Sequence, residues 1–166
     1  VADHYTVAED GLLTVDAAKG LLANDKDLDG DTLRVELGNV ALTTTSPSNG
    51  QLTKLGPDGS FQYTPNPNFN GADAFTYYVT DGSAVVGPTD VTITVTPTND
   101  SPVAVDDTYS VPEDGFLDIR TSNLLSNDSD IDGNSLSAKE VTRPTNGALT
   151  LKTNGDFEYR PNANFN

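Results

Sequence analysis

Four aspartates at alternate positions of one short segment are the clearest chemical signal in the sequence. They are Asp25, Asp27, Asp29 and Asp31, with Gly30 between the last two. Ca²⁺ takes about six to eight hard oxygen ligands from a loop that can bend around it. Carboxylates this close together repel one another, and a bound cation relieves that repulsion. The segment therefore predicts a calcium-binding loop.

The same pattern returns later in the chain as Asp128, Asp130 and Asp132, followed by Gly133. An EF-hand loop needs an acidic residue at its twelfth position, where the first copy has Glu36 and the second has Lys139. We therefore expect an Asp-x-Asp-x-Asp-Gly loop whose remaining ligands come from elsewhere. A solvated turn held by aspartate side chains is the alternative. Mg²⁺ fits less well, because it prefers few carboxylates and several waters.

The composition of the chain is strongly acidic. Its 166 residues include 25 acidic and 9 basic side chains, which gives a formal net charge of −16. Such a field repels phosphate, so we expect neither nucleic-acid binding nor membrane insertion. There is no cysteine, so disulfides and thiolate metal sites are excluded. The chain also lacks methionine, a membrane-spanning apolar run and a secretory signal, and we expect it to be excised from a longer protein.

Three segments of the sequence occur twice, about 100 residues apart, which is the length of one small sandwich domain. Residues 3–15, 21–33 and 49–70 return as residues 107–119, 124–136 and 146–166. The second copy stops at the counterpart of Asn70, so it lacks the equivalent of the last third of the first copy.

A polar segment from Pro97 to Pro102 separates the two copies and has the composition of a linker. We predict a first repeat at residues 1–98, a linker at 99–103 and a partial second repeat at 104–166 that lacks its C-terminal strands. A frame in which residues 71–166 form one circularly permuted domain is the alternative.

The first copy contains seven short segments with the alternation of β-strands. They are residues 4–8, 12–15, 32–37, 51–55, 60–64, 75–80 and 91–96. Asn-Gly, Asp-Gly and Gly-Pro pairs separate them, and residues 16–24 contain the one plausible helical turn. This spacing predicts an all-β fold, an immunoglobulin- or cadherin-like β-sandwich in tandem copies.

Several phrases of the sequence resemble the bacterial cadherin-like and immunoglobulin-like tandem repeats of large secreted adhesins. They are "EDG", "LLANDKDLDGD", "DGSFQYTPNPNFNGADAFTYYVTDG" and "VTITVTPTNDSP". Together they span nearly all of the first copy, and the second copy repeats those within its length. A looser similarity is to cadherin ectodomains, in which acidic residues of two domains and an Asn-Asp linker gather around calcium.

The cadherin resemblance implies a set of calcium ligands in this chain. They are Glu9, Asp73, Asn99, Asp100, Asp128 and Asp130, with Glu113 as the second copy's counterpart of Glu9. Asp25 and Asp27 would serve a preceding domain in the same way. Pro97 and Ser101 stand where the cadherin linker has Asp and Asn, so we expect one or two ions at the junction.

The function implied by the resemblance is that of a calcium-stabilised spacer in an extracellular or bacterial cell-surface adhesin, with Ca²⁺ stiffening the loops and the junction. Its partners would be neighbouring repeats of the same chain and a cell-surface glycan or protein. No nucleophile, phosphate loop or base is recognisable, so we expect no enzyme. The alternative is a carbohydrate-binding module, for which Phe69 and Tyr78 are the best candidates.

Overall fold

The computed structural model describes residues 1–36 and 45–165, and the chain divides into two compact units. The units are Val1–Thr98 and Asn99–Asn166. The segment assigned as a linker, residues 99–103, belongs to the second unit. The end of the predicted third strand, Leu37, lies outside the described residues.

Among its described residues, the first unit contains seven strands that form two sheets. They are β1 (Asp3–Ala8), β2 (Leu13–Val15), β3 (Arg34–Val35), β4 (Gly50–Leu55), β5 (Phe61–Pro65), β6 (Gly71–Thr80) and β7 (Val85–Thr96). One sheet has the order β1-β7-β6-β3 and the other has the order β2-β5-β4. Strand β1 runs parallel to β7, and the other pairings are antiparallel. The predicted all-β sandwich is confirmed.

The core of the first unit lies between the two sheets and follows the two-residue period of the strands. On β7, Val91, Ile93 and Val95 are buried, whereas Thr92 and Thr94 between them face outward. Phe61 and Tyr63 come from the opposite sheet, and both are fully buried. The alternation visible in the sequence therefore decides which side chains form the core.

The helical segment of the first unit is one turn of 3₁₀-helix, Ala17–Lys19. Asp16 caps its beginning by accepting a hydrogen bond from the Lys19 N–H at 3.1 Å. The turn leads to Leu21, a fully buried residue whose N–H donates to the Gly59 carbonyl at 3.0 Å. This contact anchors the start of the acidic loop to the second sheet.

The described part of the second unit contains one sheet of three strands, in the order β8-β10-β9. The strands are β8 (Leu117–Ile119), β9 (Gly147–Leu151) and β10 (Phe157–Pro161), the counterparts of β2, β4 and β5. Residues 107–112, the counterpart of β1, form no strand in the described part of the chain. In the first unit β1 pairs with β7 alone, and residues 107–112 meet no such partner among the described strands.

Candidate metal centre

The acidic loop of the first unit is shaped by one of its own carboxylates. Asp27 Oδ1 accepts hydrogen bonds from the N–H groups of Asp29 at 2.8 Å and Asp31 at 3.0 Å. Gly30 has a φ of 85°, in the region that favours glycine. Asp25 and Asp27 are half-buried, whereas Asp29 and Asp31 are exposed. The aspartates therefore differ in role. Asp27 holds the loop backbone in its turn, whereas the side chains of Asp29 and Asp31 extend into solvent.

The second acidic loop repeats this geometry. Asp130 Oδ1 accepts from the N–H of Asp132 at 3.0 Å and from that of Asn134 at 3.1 Å. Gly133 has a φ of 75°. Asp128 and Asp130 are half-buried and Asp132 is exposed, as in the first unit. The two copies thus share a backbone conformation as well as a sequence pattern.

In the second unit, residues 99–105 pack directly on the acidic loop. The Asp100 N–H donates to Asp132 Oδ2 at 2.6 Å, and Asn134 Nδ2 donates to Asn99 Oδ1 at 2.7 Å. Val103 and Ser129 exchange two backbone hydrogen bonds of 2.8 and 3.0 Å. The segment that precedes the repeat is therefore bound to its loop by both side-chain and backbone contacts.

The packing of this segment on the loop produces an oxygen-rich cavity of about 420 Å³. Its polar lining consists of Asn99, Asp100, Asp128, Asp130, Asn134, Ser135 and Ser137. Val105 donates its N–H to Asp128 Oδ1 at 2.8 Å, which fixes that carboxylate at the edge of the cavity. Carboxylate, amide and hydroxyl oxygens are the ligands that Ca²⁺ prefers.

In neither unit do the described carboxylates form a metal-binding site by themselves. Within each unit by itself, no three of the described acidic side chains bring their oxygens within 4.8 Å of one another. A cation held in the cavity of the second unit would therefore need amide, hydroxyl or backbone oxygens in addition to its aspartates. Asn99, Asn134 and Ser135 supply such groups at its walls.

Glu9 is almost fully buried at the end of β1, where its carboxylate joins two segments of the first unit. Oε1 accepts from the Thr98 N–H, and Oε2 accepts from Asn70 Nδ2 at 3.3 Å. Its counterpart Glu113 is exposed. Both residues were inferred as ligands from the cadherin resemblance, and that assignment stays a prediction.

Asp73 is buried, and its carboxylate is surrounded by hydrogen-bond donors. Oδ1 accepts from the N–H groups of Ser48 and Ala74, both at 2.9 Å. Oδ2 accepts from the Asn49 N–H at 3.0 Å and from the Tyr63 hydroxyl at 2.8 Å. The bonds from Ser48, Asn49 and Tyr63 fasten β6 to the segment before β4 and to the opposite sheet, so Asp73 has a structural role here. Its part in metal binding remains a prediction.

Two acidic side chains, those of Asp3 and Asp25, lie around the buried hydroxyl of Tyr77. That hydroxyl lies 3.0 Å from Asp3 Oδ2, 3.1 Å from Asp25 Oδ2 and 2.8 Å from the Leu21 carbonyl. One O–H proton cannot satisfy all three acceptors at once. Burial, together with the nearby Asp25 charge, raises the pKa of Asp3, although the Tyr77 hydroxyl opposes the shift. The group ties the acidic loop to the core.

A hydrogen bond between two loops occurs in both units and was not predicted from the sequence. Asp10 has a φ of 56° and accepts the Asn68 N–H on Oδ1 at 3.0 Å. In the second unit, Asp114 has a φ of 60° and accepts the Asn164 N–H at 3.2 Å. The sequence signal that could have indicated it is the repetition of "EDG" and "NFN" in both copies, because this hydrogen bond joins the two phrases.

The aromatic residues considered for carbohydrate binding do not stand free. Phe69 packs against the core of the first unit. Tyr78 is half-buried and lies against the backbone of Gly87, where an added Cβ would come within 2.9 Å of its ring. Each ring is therefore partly covered by its own unit, which leaves less ring surface for stacking on a sugar.

Comparisons with known proteins include a family model that matches nearly the whole chain. A family model of the bacterial cadherin-like domain matches residues 1–97 and again residues 99–166. The integrin beta-like protein E of Dictyostelium discoideum is 35% identical over an alignment of 121 residues that covers 64% of this chain and 6% of that protein. The chain thus spans a small fraction of this relative's length.

Among solved structures, two forms of an endo-fucoidan hydrolase from glycoside hydrolase family 107 align with this chain. They cover 98% and 97% of it and 23% of their own length, with identities of 20% and 17% and TM-scores of 0.35 and 0.32. Scores this low carry no argument about fold or activity.

Among the described residues, no helix is long and apolar enough to cross a membrane.

Proposed function

The chain belongs to the bacterial cadherin-like domain family, and on that premise we propose that its two units are calcium-stabilised spacer repeats of a secreted or cell-surface adhesin. The resemblance inferred from the sequence is confirmed by the family match. The modules act mechanically, as rigid supports for another part of the protein, and carry out no catalysis. Their immediate partners are neighbouring repeats of the same chain.

The observation that carries this proposal is the oxygen-rich cavity of the second unit. Asn99 and Asp100 come from the segment before the repeat, and Asp128 and Asp130 come from the acidic loop. These are the residues that would hold Ca²⁺, a cation that joins several oxygen ligands into one rigid centre. The hydrogen bonds between the two segments keep them together, so binding costs little reorganisation.

Charge supports the proposal at the level of the whole chain. A net charge of −16 opposes compact folding by self-repulsion, and each bound Ca²⁺ offsets two of these charges. Ca²⁺ suits the site better than Mg²⁺, because several carboxylates and amides surround it and Mg²⁺ keeps most of its waters.

The hypothesis that calcium also fixes the junction between the repeats rests on the sequence and the cadherin resemblance. Glu9, Asp73, Asp100, Asp128 and Asp130 are the residues assigned to it. It stays a prediction.

Isothermal titration of the whole chain with Ca²⁺, and with Mg²⁺ as the control cation, tests the function directly. We expect saturable calcium binding that is weakened by the double variant Asp128→Asn/Asp130→Asn. The amide that replaces the Asp130 carboxylate still offers an acceptor oxygen to the loop N–H groups, so the backbone turn is retained while the charge is lost. Asp90→Asn removes one charge from an exposed position of β7 and should leave binding unchanged.

Two results would contradict the proposal. One is an absence of calcium binding, and the other is equal binding by the double variant and by Asp90→Asn. Binding of a polysaccharide in the presence of calcium would instead favour the carbohydrate-binding alternative.

A further inference from the structure

Tyr77 brings a hydroxyl from the core of the first unit to its acidic loop. The residue is fully buried, and its hydroxyl lies 2.8 Å from the Leu21 carbonyl and 3.1 Å from Asp25 Oδ2. We propose that Tyr77 is a positioning residue for calcium, whose hydroxyl holds the Asp25 carboxylate in the orientation that receives the cation. This inference rests on the proposed function, because it takes the acidic loop to bind calcium.

The strand that carries Tyr77 gives this hydroxyl a fixed position. β6 pairs with β7 on one side and with β3 on the other, so it lies inside its sheet. Phe75 and Tyr77 point into the core from alternate positions of β6, and both are fully buried. Phe75 shows that burial of a ring here needs no hydroxyl, and a buried hydroxyl without partners would be destabilising. What the tyrosine adds over a phenylalanine is therefore a hydrogen-bond donor at the acidic loop.

The Asp25 carboxylate is held at both of its oxygens. Oδ2 meets the Tyr77 hydroxyl, and Oδ1 accepts from the Val1 nitrogen. In the second unit the matching contact joins Asp128 Oδ1 to the Val105 N–H at 2.8 Å. Each carboxylate oxygen has two lone pairs, so an oxygen that accepts one hydrogen bond can still bind a cation.

The surroundings of Asp25 have room for a cation. Asp25 lines a cavity of about 480 Å³ together with Asn24, Asp27 and Asp81, among others. These side chains offer carboxylate and amide oxygens, which are the ligands that Ca²⁺ prefers. Only 11% of the Asp25 side chain is exposed, so its hydrogen bonds decide which lone pairs face the cavity.

A second carboxylate, that of Asp3, competes for the Tyr77 proton. Asp3 Oδ2 lies 3.0 Å from the hydroxyl, and Asn24 Nδ2 donates to Asp3 Oδ1 at 3.0 Å. The hydroxyl can donate its one proton to Asp3 or to Asp25, but not fully to both. A cation on Asp25 would offset the charge of that carboxylate and leave the proton to Asp3. Calcium binding would therefore relieve the repulsion between two carboxylates that have little exposure to water.

Loss of the hydroxyl should weaken calcium binding and not only the fold. Tyr77→Phe keeps the ring in the core but frees Asp25 Oδ2, so the carboxylate has to be ordered when the cation binds. Removal of a group that orients a metal ligand typically weakens metal affinity by about 10- to 100-fold. We expect the lower end of this range, about tenfold, because the Val1 nitrogen still holds Oδ1.

Isothermal titration of the whole chain with Ca²⁺ tests the inference. The Asp128→Asn/Asp130→Asn background weakens the site of the second unit, so the loop of the first unit dominates the titration. In this background Tyr77→Phe should raise the Kd by about tenfold. Tyr5→Phe is the matched control and should leave the Kd unchanged, because the hydroxyl it removes from the same unit donates to the Lys19 carbonyl at 3.0 Å.

Two results of this titration have different meanings. If Tyr77→Phe and Tyr5→Phe bind calcium with equal Kd, the positioning role is wrong and the calcium function of the loop stands. If the background chain binds no calcium before either change, the calcium function of the first unit is wrong and the positioning role falls with it.

Urea titrations in calcium and in chelator separate positioning from a purely structural role. A hydroxyl that only stabilises the fold would make Tyr77→Phe lower the urea midpoint equally in both conditions. A hydroxyl that positions a calcium ligand makes the loss larger in calcium, because the variant also gains less from the ion. Equal losses would overturn the inference.

Terbium luminescence tests the same contact even if Tyr77→Phe does not fold. Tb³⁺ replaces Ca²⁺ at oxygen-rich sites and emits when an excited tyrosine nearby transfers energy to it, and the chain has six tyrosines and no tryptophan. In the Asp128→Asn/Asp130→Asn background we expect tyrosine-sensitised emission that Ca²⁺ competes away and that Asp25→Asn/Asp27→Asn removes. Bound Tb³⁺ without such emission would place the cation away from Tyr77 and overturn the inference.

Discussion

At the scale of single residues, acidic side chains of the same type do different work. Asp73 lies in the interior, where four donors satisfy its carboxylate. Asp29 and Asp31 extend into solvent, where their charges are available to a cation. Because a buried carboxylate that loses its partners is costly and an exposed one is not, the two groups should respond differently to substitution.

We expect Asp73→Asn to lower the free energy of unfolding of the first unit by about 2–3 kcal/mol, since the amide nitrogen cannot accept from Asn49 or Tyr63. Urea titration followed by circular dichroism measures the change, with Asp90→Asn as the control for lost charge. The loss should be the same in calcium and in chelator. If it disappears in chelator, Asp73 acts as a metal ligand and the structural explanation is wrong.

Because the pKa of Asp3 is raised in the folded state, we expect the contribution of this residue to folding stability to depend on pH. Its folded-state pKa lies above its unfolded value, so the folded state binds the proton more tightly. Stability from this group is therefore greatest below the unfolded pKa of about 3.9, falls as pH rises through the folded pKa, and stays reduced above it.

Asp3→Asn should remove this decrease, because the amide stays neutral and its oxygen still accepts from Tyr77. Urea titrations across the acidic range, in chelator, should give a difference between parent and variant that grows with pH. A difference that is constant with pH would show that Asp3 does not titrate differently on folding.

At the scale of elements, the units are held together by contacts between loops and strand ends as well as by the sheets. Asp10 follows β1, and Asn68 lies in the turn between β5 and β6. Both have left-handed backbone conformations, which cost about 1–2 kcal/mol in residues other than glycine. The hydrogen bond between them offsets that cost and sets how β1 enters the next loop.

Two substitutions at Asp10 separate the hydrogen bond from the backbone strain. Asp10→Ala should lower the free energy of unfolding by about 2 kcal/mol, because it loses the bond and keeps the strain. Asp10→Gly should cost less by about 1 kcal/mol, because glycine accepts a positive φ. Urea midpoints of the two variants decide the matter, and equal midpoints would mean that the backbone conformation is not strained.

At the scale of the whole molecule, the dominant fact is a charge of −16 spread over two units that each contain an acidic loop. Repulsion between these charges weakens the folded state, and cation binding opposes it. The stability of the chain should therefore depend on calcium more than on any single contact.

Calcium should raise the melting temperature of the chain on the order of ten degrees when its concentration is about 100 times the dissociation constant, because one such ion adds about 2.7 kcal/mol. Asp25→Asn with Asp27→Asn should abolish much of this effect in the first unit. The amide that replaces the Asp27 carboxylate keeps the acceptor oxygen that shapes the loop, so the variant tests charge and not folding of the turn. An unchanged melting temperature after chelation would contradict the calcium hypothesis.

Calcium should also stiffen the junction, if ligands of both repeats bind a common ion. Small-angle scattering of a protein with two complete repeats should then show a longer and narrower particle with calcium than with chelator. Asp100→Ala should give the chelated profile in calcium while each repeat stays folded. Identical profiles in the two conditions would mean that the ions serve the single repeats alone.

The sequence by itself determined the repeat, the strands and the acidic loops, because these depend on local patterns. The alternation of "VTITVT" follows from the geometry of a strand that is buried on one side, and Asp-x-Asp-x-Asp-Gly forms its turn from neighbouring groups. The helical turn at Ala17–Lys19 was also visible in the sequence, since Asp16 caps it locally.

Only the tertiary structure decided which acidic residues are structural. Asp73 and Tyr63 are ten residues apart and Asp10 and Asn68 are 58 apart, so no local pattern could pair them. The sequence placed Asp73 among the calcium ligands through the cadherin resemblance, and that assignment stays a prediction. The burial of Asp73 and the positions of its four hydrogen-bond donors give this carboxylate a structural role, and both follow from the packing of one sheet on the other.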